Sequence, residues 1–349
     1  MRIRRPFPLV LVVVVVAAAV TVAVQLRKDA PPEPARLLPG ADAFLYVNLG
    51  WARKLNPDRG LPSVSHDPEY ERFIQDTGFE FERDLEAAAF AVHYPSDWPG
   101  GGTGSSAPEP RFSEVFVGKF DGAKLGTYLK QHAQSIENYQ SVDIFTIPLE
   151  GRSFRVAILG VDSVACSNHD DPAVIRGIVD RSRRLASPFG GPALLRRYYK
   201  RVQFASPLWL VAHVQPSAPD FGGWNAVFSK PADIVISTGY NPLRLPLRPS
   251  ALHLRAEALT TSPDEARGIA DKLSAYLTIF HSAEGSVGSA GTDADVKAVF
   301  DSVQVRQEGD RATLNAAIPP GFLKKMLAAE SPEGAAAPSA QRPAPSGSR

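Results

Sequence analysis

The chain has one cysteine, Cys166, in 349 residues, which excludes an internal disulfide framework even in an oxidising compartment. It has seven histidines, and no two are separated by the three or four residues that would put both on one helical face. A His-Glu-x-x-His zinc site is therefore absent. No Gly-x-Ser-x-Gly elbow occurs and no serine stands three residues before a lysine, so the signatures of lipase-like and penicillin-binding enzymes are missing. The glycines from Gly100 to Gly104 are followed by no Gly-Lys-Ser/Thr, and Ser105 stands where a dinucleotide fingerprint needs its last glycine. Net charge is also lacking: 38 basic against 37 acidic residues leave +1, no whole-protein field to draw in nucleic acid.

Long uncharged runs are scarce too, with one exception at the start. Arg2, Arg4 and Arg5 precede an uncharged stretch from Pro6 to Leu26, and Arg27 and Lys28 follow it. As a helix its residues would span about 31 Å, close to the roughly 30 Å hydrocarbon core of a bilayer. A secretory signal peptide has a shorter apolar core of about 7 to 15 residues and a small-residue cleavage site. Ala17-Ala18-Ala19 or Thr21-Val22-Ala23 could supply that site, but the length favours a retained anchor. The basic bias puts the N-terminus in the cytoplasm and everything after Lys28 outside the inner membrane, in a bacterial periplasm.

The remainder divides by composition. Residues 1–28 read as cytoplasmic tip and transmembrane anchor, and 29–36, with Pro31, Pro32 and Pro34, as a stiff extended spacer. Residues 37–190 and 191–329 read as two α+β units, and 330–349 as a disordered tail with almost nothing to bury. The stretch 95–110 reads as a mobile loop. Within the first unit, strands are expected at 43–49, 87–94 and 112–120, with a hairpin of 152–159 and 163–168. Asp67, Asp121 and Asp171 are expected to cap helices. In the second, a helix at 194–202, strands at 206–214 and 252–259 and a helix from Pro263 through Phe280 lead to a hairpin around Glu308-Gly309-Asp310 and a short helix at 321–329. Corresponding landmarks recur at offsets of about 140 to 150 residues, the regularity of a duplication. The fold class expected is α+β: an N-terminal transmembrane helix, then a duplicated domain of mostly antiparallel strands with packed helices.

Leu38-Pro39-Gly40-Ala41-Asp42-Ala43-Phe44-Leu45-Tyr46-Val47-Asn48-Leu49, followed by Thr77-Gly78-Phe79-Glu80-Phe81-Glu82-Arg83-Asp84-Leu85, resembles a group of uncharacterised bacterial envelope proteins. These carry one N-terminal anchor and a Leu-Pro-x-x-Ala strand opening onto a duplicated extracytoplasmic domain. The resemblance runs from Leu38 to Leu327 and rests on fold signals. It implies no catalytic residue.

Candidate chemistry is correspondingly thin. His169-Asp170-Asp171 is the one dense group of metal-type ligands, and capping of the next helix is its simpler reading. Asp84 and Glu86 could flank a sugar, although solvated carboxylates are commoner. Cys166 sits in an apolar strand and reads as a buried thiol. The even charge balance breaks once, where Arg181, Arg183, Arg184, Arg196, Arg197, Lys200 and Arg201 crowd together with no acid among them. Leu194, Leu195, Tyr198, Tyr199 and Val202 give the same segment an apolar stripe. Arg196, Arg197, Lys200 and Arg201 are therefore the candidate interaction surface, either a solvated face or a contact for anionic lipid or an acidic envelope protein. The expectation is a non-enzymatic, membrane-anchored binding or scaffolding module of the cell envelope, without cofactor, metal or nucleic acid. The alternative is a periplasmic hydrolase with a site built from dispersed residues, for which His93, His213 and Asp84 are the guesses.

Overall fold

The computed structural model describes residues 30–55, 67–94, 110–149, 152–183, 191–216, 224–239, 251–287 and 294–328. The apolar run before Arg27, nearly all of the 95–110 loop and the 330–349 tail lie outside them. Among the described residues no helix is long and apolar enough to cross a membrane.

The chain builds one antiparallel sheet. In the first half come α1 (Glu33–Leu37), β1 (Ala43–Asn48), α2 (Leu49–Leu55), α3 (Pro68–Thr77), α4 (Phe81–Asp84), β2 (Leu85–His93) and β3 (Arg111–Gly118). Next are α5 (Gly122–His132), β4 (Ser135–Tyr139), β5 (Val142–Leu149), β6 (Arg152–Ile158), β7 (Ser163–Ser167) and α6 (Ala173–Arg183). The second half holds α7 (Ala193–Tyr198), a 3-10 turn (Tyr199–Arg201), β8 (Leu208–Val214), α8 (Trp224–Val227), β9 (Ala232–Gly239) and β10 (Leu252–Leu259). It ends with α9 (Pro263–Val287), α10 (Ala294–Asp301), β11 (Gln304–Glu308), β12 (Arg311–Ile318) and α11 (Pro320–Ala328).

The 12 strands lie in the order β11-β12-β10-β9-β8-β1-β2-β3-β7-β6-β5-β4, and every neighbouring pair is antiparallel. At about 4.8 Å per strand the sheet is roughly 53 Å wide. The two halves of the chain meet at the β1–β8 pair, where Phe44 faces Val211 and Tyr46 faces Trp209. Outward from that seam one side runs β1-β2-β3-β7-β6 and the other β8-β9-β10-β12-β11, the same connectivity in both halves. The β4–β5 hairpin extends only the first.

Both faces are packed. On one, Phe44, Ala91, Val115, Val211 and Val235 are buried under Leu37 of α1, Ile175, Ile178 and Val179 of α6, and Leu195 and Tyr198 of α7. On the other, Leu125 and Leu129 of α5 cover Phe145, Val156, Val164 and Cys166. There too, Phe228 and α9 residues Ile269 and Ala270 cover Ala212, Ile234 and Ala312. Cys166 is buried, and burial holds its thiol pKa well above the ordinary value.

Helix ends follow the side chains that can satisfy them. The Asp67 carboxylate accepts from Glu69 N and Tyr70 N, Pro68 occupies the first turn, and Gly78 closes α3 at φ 72°, a left-handed conformation that favours glycine. Asp121 caps α5, and Asp171 accepts from Ala173 N at 2.8 Å.

Two expectations are corrected, and strands are added where none is expected. Residues 33–37 are not part of an extended spacer: they form α1, with Pro34, Ala35 and Leu37 buried. Proline is compatible with the first helical turn, where an amide donor is not needed, and Ala35 and Leu37 gain more from the core than from water. The helix expected over 194–202 stops at Tyr198 and tightens into a 3-10 turn. The segments 135–149 and 232–239, for which the sequence carries no expected element, form β4, β5 and β9.

Candidate interaction surface

The side chains of α7 divide by helical position. Leu195 and Tyr198, three residues apart, are buried against the sheet, whereas Arg196, Arg197 and Lys200 are exposed. Tyr199 then lays its ring edge-on to Trp209, 5.4 Å between centroids, and Trp209 stacks on Tyr46 at 5.6 Å. The segment is thus bolted to the β1–β8 seam by aromatic packing.

A polar latch completes the attachment. The Tyr198 hydroxyl donates to one oxygen of Asp233, and the other oxygen lies 2.8 Å from His213 Nδ1. Burial, and then the Asp233 carboxylate, push the Tyr198 phenol up to about 12. Above the ring of the same tyrosine the Arg197 guanidinium sits at 5.0 Å, a cation–π contact that leaves its charge facing water.

The four basic residues do not behave alike. Arg201 turns inward and binds Glu257 at 3.1 Å, the carboxylate side chain being only 3% exposed. Arg255 grips the other oxygen of Glu257. Arg201 is therefore a structural partner of a buried acid, whereas Arg196, Arg197 and Lys200 form no ion pair among the described residues. The sequence could not show this, because Glu257 lies 56 positions away from Arg201 on another strand. The one local hint is the alternation His253, Arg255, Glu257, which marks a polar row on one face of β10.

Of the residues expected for a hydrolase, His93 and His213 stand on the strands flanking β1, on either side of Asp42, and Asp84 lies apart from both. His93 Nε2 lies 3.0 Å from Ser113 Oγ, which contacts Ser167 Oγ at 3.0 Å, but Ser113 is fully buried. Burial, and then the His169 ring, push His93 down to about 4. Asp84 lies at the opposite end of β2, about 30 Å away along the strand, held by the Arg83 fork at 2.9 Å to one oxygen and 2.5 Å to the other. His213 belongs to the Tyr198 latch. Nothing joins the three into one site.

The other groups fall in structural roles. Asp170 pairs with Arg111 at 2.9 Å, His169 Nδ1 accepts from Asp171 N at 3.1 Å, and among the described residues no three metal-type side chains converge. A cavity of about 410 Å³ at the start of α9 is lined by Lys230, Asp264, Glu265 and Lys272. Its charges are already occupied, Lys230 by Glu265 at 2.7 Å and Lys272 by Ser229 at 2.8 Å. A second, apolar cavity of about 160 Å³ lies between the sheet and α9, beside Phe228, Ile236 and Leu273.

The chain is thus an α+β protein built on one broad antiparallel sheet, with a basic helix on one face. No family model matches it, and no curated protein does either. Among solved structures, TP0453 in crystal form III is similar at a TM-score of 0.42 and 9% identity, over 85% of this chain and 98% of that one. Crystal form I gives 0.39 at 9% identity, over 87% and 100%. Similarity at this level places neither a ligand nor an activity on this chain.

Proposed function

We propose that this protein is a non-enzymatic, membrane-anchored binding or scaffolding module of the bacterial cell envelope. Residues 1–28 hold it in the inner membrane as a single pass, with the bulk of the chain in the periplasm. The observation that carries the reading is the exposed basic face of α7 and of the 3-10 turn after it, where Arg196, Arg197 and Lys200 form no ion pair among the described residues and point away from a stripe of buried core. It offers positive charge to an anionic lipid surface or an acidic envelope partner. A duplication underlies the body, supported by the shared order β1-β2-β3-β7-β6 and β8-β9-β10-β12-β11 and by hairpins and helices recurring at offsets of about 140 to 150 residues.

The placement is tested on the full chain in cells. A reporter fused after Arg349 is expected to be active only outside the cytoplasm, with the protein resisting alkaline extraction from inner membranes. A soluble form beginning near Val20 or Val24 would sink the anchor, and cytoplasmic reporter activity would sink the orientation.

A further inference from the structure

The short α1 helix decides more than the loss of a spacer. Its Arg36 backbone packs against Gly191, where an added Cβ would lie 3.5 Å from Arg36 Cα, so α1 and the start of α7 are in contact. On its other side, Arg181 Nε of α6 donates to Leu37 O at 2.6 Å. The first described segment therefore enters the body between the last turn of α6 and the first turn of α7. Both are basic, with Arg183 exposed on α6 and Arg196, Arg197 and Lys200 exposed beyond it.

Chain length closes the geometry. Lys28 and Glu33 are five residues apart, at most about 18 Å of chain. Arg196 to Lys200 follow Gly191 by five to nine residues, about 8 to 14 Å along a helix. A run that enters a bilayer at Arg27 and Lys28 keeps the start of α1 within about 18 Å of the lipid, so the face within reach of the bilayer is the one bearing α1, the end of α6 and α7.

We infer that Arg196, Arg197 and Lys200 seat this face on the anionic headgroups of the same bilayer that holds the N-terminal run, fixing the orientation of the sheet against the membrane. This rests on the anchor reading above, and it names the ligand of the basic surface as phospholipid phosphate rather than an acidic protein. Charge complementarity supports it: the tether confines the basic face to the neighbourhood of the bilayer, and attraction to anionic headgroups, which acts over about 8 Å at physiological salt, holds the face down once it approaches. Arg201 takes no part, since Glu257 holds it.

The test uses the full chain reconstituted into vesicles and labelled with a fluorophore at Ala193→Cys on α7 or, as control, Lys130→Cys on α5. Both positions are exposed, and the buried Cys166 thiol stays unlabelled. In phosphatidylcholine vesicles containing phosphatidylglycerol, the Ala193 label should become about threefold less accessible to acrylamide than in phosphatidylcholine alone. The Lys130 label should not change. Raised salt, or Arg196→Gln, Arg197→Gln and Lys200→Gln together, should abolish the protection. A chain that stays in the vesicles through alkaline washing but shows equal access at Ala193 in both lipids would overturn the orientation and leave the anchor standing. A chain washed off would sink the anchor and this inference with it. Protection seen in native inner membranes and absent from pure anionic vesicles would assign the surface to a protein partner and overturn the lipid assignment.

Discussion

Two ionisable side chains on adjacent strands, His93 buried and Glu114 half-buried, pull stability in opposite directions as pH changes. His93 is pushed down from 6.5 to about 4, so between those values the unfolded chain binds a proton the native state refuses, and stability falls as pH falls. Glu114, whose carboxyl burial pushes up from 4.5 to about 7, keeps its proton in the native state after the unfolded chain has lost it. Its contribution falls as pH rises through the same window. Each amounts to at most about 1.4 kcal/mol per pH unit, so the two slopes largely cancel between about 4.5 and 6.5. Glu114→Gln should uncover the histidine, giving a protein whose denaturant midpoint climbs with pH over that range. His93→Asn should give the reverse slope. Two parallel, flat profiles in the single variants would show that neither group titrates as its burial implies.

At the scale of the element, α7 separates two kinds of side chain that the sequence interleaves. Leu195 is fully buried and Tyr198 nearly so, and truncating Leu195 to alanine is expected to cost about 2 to 5 kcal/mol, measured by urea unfolding. Replacing Arg196, Arg197 and Lys200 together by glutamine should leave stability within about 0.5 kcal/mol, because solvated charges contribute little. Arg201→Gln belongs with the first group, since it leaves a nearly buried Glu257 with one guanidinium instead of two. A glutamine triple variant as unstable as Leu195→Ala would mean that the basic face is part of the core attachment.

At the scale of the whole molecule, the sheet is continuous across a seam that no single half can complete. Phe44, Trp209 and Val211 are all but inaccessible only because β1 and β8 pair. Each half alone would expose a central strand with a long unpaired edge, a template for association. Residues 30–190 and 191–328 produced as two chains are therefore expected to be poorly soluble alone and to copurify when coexpressed. Two independently soluble, monomeric halves would contradict the seam as a shared core.

Much of this was legible along the chain. Asp67, Asp121 and Asp171 announced helix starts because a capping carboxylate acts on amides two or three residues away. The strand at 252–259 matched β10 to the residue because its ends are marked locally. The β4–β5 hairpin carries no such local mark, because its turn uses Gln140 and Ser141 at φ 49° and 60°, where no glycine signals a reversal. The polar alternation of Ser135 to Tyr139 also suited an exposed edge rather than a core strand. The prolines near residue 32 suggested a spacer because composition reports local stiffness; that Ala35 and Leu37 have a core to enter depends on α6, some 140 positions distant. Local order, caps and the basic stretch were set by neighbours in sequence and could be read from it. The β1–β8 seam, the capture of Arg201 by Glu257, the latch of Tyr198 on Asp233 and the placing of His93 and His213 on either side of Asp42, far from Asp84, depend on which strands lie side by side. That is decided by long-range burial, to which no local pattern of residues points.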